Sequence, residues 1–190
     1  ATGATERSVC TVTCKWTYLA HEGRWSDDYF RRIGLGELAG EGHARIGERI
    51  VEPGTALGQG LTDVAARELG LMPGTPVGAS LIDAHAGGIG TIGGRGAGDE
   101  AVDVQRRLAY IMGTSACIMA TTAEPRYLPG VWGPYFSAMV PGLWLNEGGQ
   151  SAAGAGIDHL MRAHPARAEA ETAAKEAGLG LLDFLEKRAV

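Results

Sequence analysis

The chain has 190 residues, 45% hydrophobic and 21% charged, with 17 basic against 22 acidic side chains and a formal charge of −5. Such a composition supports a sizeable core in one domain or two small ones, and it offers no basic stripe for nucleic acid or an anionic membrane surface. No apolar run approaches the roughly 18 residues of a membrane span, and three cysteines (Cys10, Cys14 and Cys117) without disulfide-scaffold density point to a reducing, cytoplasmic setting.

In chain order, Ser8 to Leu19 ("SVCTVTCKWTYL") is rich in Val, Thr and aromatics and reads as β-prone. Ser26 is expected to cap a helix that starts with Asp27 and Asp28 and carries Tyr29, Phe30 and Ile33 on its apolar face. "RIGERIVEPGTALGQG" gives a short strand and a turn. Thr62 caps a helix from Asp63 to about Leu69, closed by Gly70. Pro76, Val77, Ala79, Leu81 and Ile82 then read as a short buried strand that ends in Asp83, with Gly87, Gly88 and Gly90 behind it.

"GGRGAGDEAVD" reads as a flexible junction. Beyond it, Leu108 to Met112 and Ala116 to Thr121 flank a Gly-Thr-Ser turn and form a hairpin. "YFSAMVPGLWLNEGG" gives a second pair of strands around Pro141-Gly142. "QSAAGAGIDHLMRA" opens a helix, and alanine-rich helical sequence runs on from about Pro165. The pattern is read as an interior piece of something longer. Thirty glycines cluster at turns without a period, as loops do when they approach a ligand or simply turn tightly.

Several side chains could carry chemistry. A carboxylate at a strand tip, such as Asp83, suits a crevice better than a core. "DAH" would set Asp83 and His85 on one side of a strand as a metal pair, although structural zinc needs four ligands. A Ser115–His85–Asp83 hydrolase lacks "GxSxG", and Cys117 reads as a buried thiol on an apolar strand. "MGTSAC" can cradle a phosphate on backbone N–H groups, or it can be an ordinary hairpin turn; "GxxxxGK[ST]" is absent. Glu147 in "LNEGGQSA" and Lys15 could each reach a polar ligand or be solvated. Trp16, Trp132 and Trp144 line a pocket or, by default, pack in a core.

Taken in order, Lys15, "IDAHAGGIG", "YIMGTSAC" and "PGLWLNEGGQSAAG" resemble the FGGY family of carbohydrate kinases, with closest similarity to its ribulokinase-like branch, from about Cys10 to Ala163. The resemblance implies an α/β fold of the ribonuclease-H/actin type (the sugar kinase/hsp70/actin superfamily), with parts of two lobes flanking a cleft. Residues 1–105 would be the latter part of the N-terminal lobe and 106–190 the first part of the C-terminal lobe. It implies transfer of the γ-phosphoryl of ATP, with Mg²⁺, to a hydroxyl of a pentulose.

On this resemblance Asp83 is the general base, touching the sugar and the Mg²⁺ of MgATP. Lys15, Glu147 and Gln150 hold sugar hydroxyls. Gly113, Thr114 and Ser115 meet the phosphates, and His85 orients Asp83. Neither the family's first phosphate loop nor its adenosine motif is found in the sequence, so the chain alone is expected to be inactive. The expected partners are the sugar and ATP, with no nucleic acid and no membrane, and the resemblance allows a homodimer of the full-length enzyme. A kinase for xylulose or glycerol, and a non-catalytic sugar-binding remnant, stand as alternatives.

Overall fold

The computed structural model describes residues 1–98 and 102–189. The junction read from "GGRGAGDEAVD" falls partly on 99–101, outside the described residues. The chain divides into two units: Ala1–Ile111 with Cys117–Gly148, and Met112–Ala116 with the residues from Gly149 onward.

In the first unit, β1 (Arg7–Ser8) pairs in parallel with β4 (Ile50–Val51), and β2 (Tyr18–Leu19) pairs antiparallel with β3 (Arg24–Trp25). The β-prone segment from Ser8 does not form one strand. Val9–Trp16 is a helix, α1, ended by Thr17 in the left-handed conformation with φ 57°. β-branched residues only weakly disfavour a helix, so burial decides the outcome. Val9, Cys10, Val12 and Thr13 are all buried. Val12 packs with Trp25, Phe30 and Leu38, whereas Cys14 packs against a second cluster, so α1 joins two cores.

The helix predicted after Ser26 is α2 (Asp27–Arg32), followed by α3 (Gly36–Gly40). Phe30 is its buried apolar side chain, while Tyr29 and Ile33 are exposed. The predicted Thr62-capped helix is α4 (Asp63–Leu69). The Thr62 hydroxyl accepts from the Ala65 N–H at 3.3 Å, and Gly70 closes the helix at φ 69°.

The strand expected to end at Asp83 is absent. Residues 75–82 run extended beside 54–61 through single backbone bonds, such as Leu57 N–H to Val77 O at 2.8 Å. Asp83 instead begins the helix α5 (Asp83–Gly93). Four glycines in eleven residues cost it on the order of 1 kcal/mol each in propensity. What holds it is a stripe at i, i+3 and i+7, His85, Gly88 and Ile92, all buried. At Gly88 a Cβ would lie 2.7 Å from Met139 Sδ and 3.1 Å from Met119 Cε, so the missing side chain lets the helix settle on those methionines.

Both predicted strand pairs form. β5 (Leu108–Met112), β6 (Ala116–Thr122), β7 (Trp132–Phe136) and β8 (Trp144–Gln150) make one sheet in the order β5-β6-β8-β7. Ile92, Ala109, Met119, Ala138, Met139 and Leu145 form the core where α5 meets this sheet.

The second unit contains the turn between β5 and β6 and three helices: α6 (Gly154–Ala163), α7 (Arg167–Glu176) and α8 (Leu181–Ala189). Gly178, at φ 68°, divides the alanine-rich stretch into α7 and α8. A groove of about 350 Å³ runs between the helices, lined mostly by Leu160, Met161, Leu181 and Leu185. Among the described residues no helix is long and apolar enough to cross a membrane.

Candidate functional site

Asp83 is the first residue of α5, exposed, with its Oδ1 accepting the Ala84 N–H at 2.8 Å. Two residues on, about 200° around the helix, His85 points inward and is 1% exposed. The two therefore do not form the metal pair that a strand would have made of them. Nor does His85 hold Asp83. Its Nδ1 lies 3.2 Å from Cys10 Sγ on α1, and its Nε2 lies 3.3 Å from Glu147 Oε2 on β8.

These contacts belong to a longer chain of polar groups. The Ile82 N–H also donates to the Cys10 sulfur, at 3.4 Å. Cys10 is a thiol held well below its ordinary pKa, by the hydrogen bond from Cys14 first and, despite burial, by those from His85 and Ile82. Cys14, half-buried, is pushed up, first by its interaction with Cys10 and then by burial. Burial alone would depress His85, but its hydrogen bonds to Cys10 and Glu147 outweigh this and raise it to about 9. The Glu147 carboxyl is lowered, by the His85 hydrogen bond above all, against its burial. His85 thus sits between the Cys10 sulfur and the Glu147 carboxylate, with both ring nitrogens engaged.

Lys15, in the last turn of α1, is exposed, and its positive charge helps depress Glu147. Cys117 is only half-buried, not the buried core thiol its strand suggested. Its thiol is pushed up by burial, then by Glu147 and by the charge of Asp83. Lys15, Asp83, Cys117 and Glu147 all belong to the first unit. Sequence reading missed Cys10 and Cys14, whose i, i+4 spacing is visible once α1 is known to be a helix.

A cavity of about 390 Å³ in this unit is lined by Glu6, Arg7, Thr11, Trp16, Arg45 and Ser80 among others and includes none of these polar groups. Trp132 is exposed, at 57%. Trp144 is half-buried, with Phe136 at 5.1 Å and His21 at 4.9 Å between ring centres.

In the second unit, the Gly113 N–H donates to Ser115 O at 2.8 Å, which closes the turn. The Ala153 and Gly154 amides, at the start of α6, donate to the carbonyls of Thr114 and Gly113, each at 3.0 Å. The turn's carbonyls are used in seating the helix, and its Thr114 and Ser115 side chains are exposed. Gln150 ends β8, exposed, and belongs to this unit. Among the described residues no group of three or more His, Cys, Asp or Glu side chains is placed to hold a metal ion.

Comparison with known proteins places this geometry in context. Residues 108–190 match the C-terminal domain model of the FGGY family of carbohydrate kinases. The chain is 53% identical, over 92% of its length, to a human FGGY carbohydrate kinase domain-containing protein. It is 34% identical, over 98%, to a D-ribulokinase from Saccharomyces cerevisiae. It spans 32% and 29% of those two proteins, about a third of their length. Among solved structures, a xylulose kinase from Rhodospirillum rubrum superposes with a TM-score of 0.57 at 22% identity, covering 92% of this chain and 33% of that one. A second, from Brucella ovis, gives 0.59 at 19%, covering 96% and 31%. The fold is the sugar kinase/actin-like one.

Proposed function

From residues 108–190, which match the FGGY carbohydrate kinase C-terminal domain, we propose that the chain is a central part of an ATP-dependent kinase acting on a pentulose of the ribulose type. On this reading residues 1–105 come from the N-terminal lobe and 106–190 from the C-terminal one. The observation that carries it is that one unit holds exposed Lys15, exposed Asp83 at the head of α5, and Glu147 bonded to His85 of the same helix. Phosphoryl transfer requires mainly a positioned nucleophile and stabilised charge, with little covalent chemistry from the protein.

Asp83 accepts the proton of the sugar hydroxyl as its oxygen attacks the γ-phosphorus. The Ala84 N–H bonded to Oδ1 fixes the carboxylate for this, leaving Oδ2 for the hydroxyl. Glu147 accepts from a second sugar hydroxyl, Lys15 donates to a third, and Gln150 adds a neutral donor and acceptor. In the second unit the exposed Gly113–Ser115 turn offers the amides and hydroxyls of Thr114 and Ser115 to phosphate oxygens. A lone carboxylate fits Mg²⁺, which keeps waters and phosphate oxygens as its remaining ligands, and Asp83 is the residue that would approach it. The ion neutralises phosphate charge when bound.

The sugar's identity is inferred from the similarity to the D-ribulokinase of yeast. The xylulose kinases share the fold at too low an identity to argue for their substrate.

The test is an ADP-release assay over pentuloses and polyols, run on the 190-residue chain beside a chain extended at both ends to the length of its relatives. Turnover in the extended form alone is expected. Pentulose binding without turnover in either form would replace the kinase with a sugar-binding remnant.

A further inference from the structure

We infer that His85 is a positioning residue for sugar recognition: its Nε2–H sets the Glu147 carboxylate, and Cys10 on its Nδ1 holds the ring at the angle this needs. The inference rests on the reading of Glu147 as a sugar ligand and goes beyond it.

A histidine kept only for packing needs its polar atoms satisfied, and nearby backbone serves for that. His85 instead engages two side chains from two other elements, Cys10 of α1 and Glu147 of β8. One end of this line is closed: Cys10 is fully buried and also takes the N–H of Ile82. The other end is open, because Glu147 keeps 13% of its side chain exposed, against 1% for His85. A carboxylate that faces outward while bonded from behind has its two oxygens divided. One is spent on the imidazole, and the other is left for a ligand.

The helix adds a second constraint. Asp83 and His85 stand two residues apart on α5, the first outward and the second inward. The bond from His85 to Glu147 therefore ties the sugar-holding carboxylate of β8 to the same helix that presents the base. Without it, a glutamate with three rotatable bonds loses the hydrogen bond that holds its carboxylate against the helix.

The experiment separates the two ring nitrogens in the extended enzyme. Gln at position 85 can place an amide N–H near the Nε2 site, whereas Asn reaches only the Nδ1 site. His85→Asn is expected to raise the pentulose KM by roughly 10- to 100-fold, the usual range for losing a hydrogen bond to a charged group, with the ATP KM within about two-fold. His85→Gln is expected to recover most of that loss. In a Glu147→Gln background, His85→Asn should add no further rise, as a cycle through one shared contact requires.

If His85→Asn and His85→Gln behave alike, or the Asn effect persists undiminished in the Glu147→Gln background, positioning through Nε2 is overturned. Should Glu147→Gln alone leave the sugar KM unchanged, it is the reading of Glu147 that fails. Should His85→Asn not fold, Cys10→Ala carries the test. It is expected to raise the sugar KM several-fold in the native background and not in Glu147→Gln, and equal effects in both would overturn the inference.

Discussion

His85 Nε2 lies 3.3 Å from Glu147 Oε2 across 62 residues of sequence, and this contact joins the start of α5 to the middle of β8. It has a consequence for acid stability. The Glu147 carboxyl is held below its ordinary value, first by the His85 hydrogen bond and then, against burial, by the His85 charge, Cys117 and Lys15.

A group whose folded pKa is depressed contributes stability that is present above its unfolded value, about 4.3 for Glu, and lost as pH falls through the folded value. Wild type should therefore exceed Glu147→Gln by about 1.5–3 kcal/mol near neutrality, with the gap closing below about pH 4. Urea unfolding of the 190-residue chain at several pH values between 3 and 7 measures it. A gap that stays constant across that range would mean the ionised carboxylate has no favourable partner.

Asp83→Ala in the extended enzyme should lower kcat by about 10² to 10⁴, the usual worth of a general base, while the sugar Kd stays within a few-fold. Asp83 is exposed, so the substitution removes no core packing, and its Oδ1 accepts the neighbouring Ala84 N–H. Turnover close to wild type would remove Asp83 from the chemistry.

Much of the fold was legible where local signals act alone. Thr62 and Gly70 bound α4 at the positions that capping rules require, and both hairpins of the four-stranded sheet follow from turn residues between β-prone runs. Two elements were read wrongly for one shared reason. Val9–Trp16 carries β-branched residues and Asp83–Gly93 carries four glycines, so local propensity opposes both helices. Burial of Val9, Cys10 and Val12 in one, and of His85, Gly88 and Ile92 in the other, reverses that preference.

The site shows the same division. Lys15, Asp83 and Glu147 could be picked from the ordered motifs, whereas the partner of His85 could not. Its identity depends on which way α5 faces, and a strand reading points it at Asp83 instead of Glu147. Cys10 stayed unseen because its role exists only once α1 packs beneath α5.

The thiols should report on this arrangement by their labelling order. Cys10 is fully buried, so its lowered pKa does not make it reactive in the native state. Cys117 is partly exposed, yet its thiol is pushed up by burial and by the Glu147 carboxylate. N-ethylmaleimide at pH 7.5 should modify Cys117 first, at a rate below that of free cysteine, and Glu147→Gln should speed it. Mass spectrometry after timed quenching assigns the order. Labelling of Cys10 ahead of Cys117 would mean that the buried line of groups opens readily.

Two glycines on α6 should respond to the same substitution with opposite signs. A Cβ on Gly154 would stand 2.5 Å from the backbone oxygen of Gly113, and a carbonyl cannot swing aside as a side chain can. Gly154→Ala should therefore push the Gly113–Ser115 turn away from the helix and weaken the Gly154 N–H bond to Gly113, at a cost of about 1–3 kcal/mol. At Gly156 the nearest atom outside the helix backbone is Ala152 Cβ at 3.8 Å, an ordinary contact. Gly156→Ala should then stabilise by about 0.5–1 kcal/mol through helix propensity. At roughly 2–4 °C per kcal/mol for a chain of this size, thermal melts of the 190-residue chain distinguish the two directions. In the extended enzyme Gly154→Ala should also raise the ATP KM if the turn meets phosphate, while Gly156→Ala leaves it unchanged. Equal melting temperatures for the two variants would show that α6 does not need its close seat on the turn.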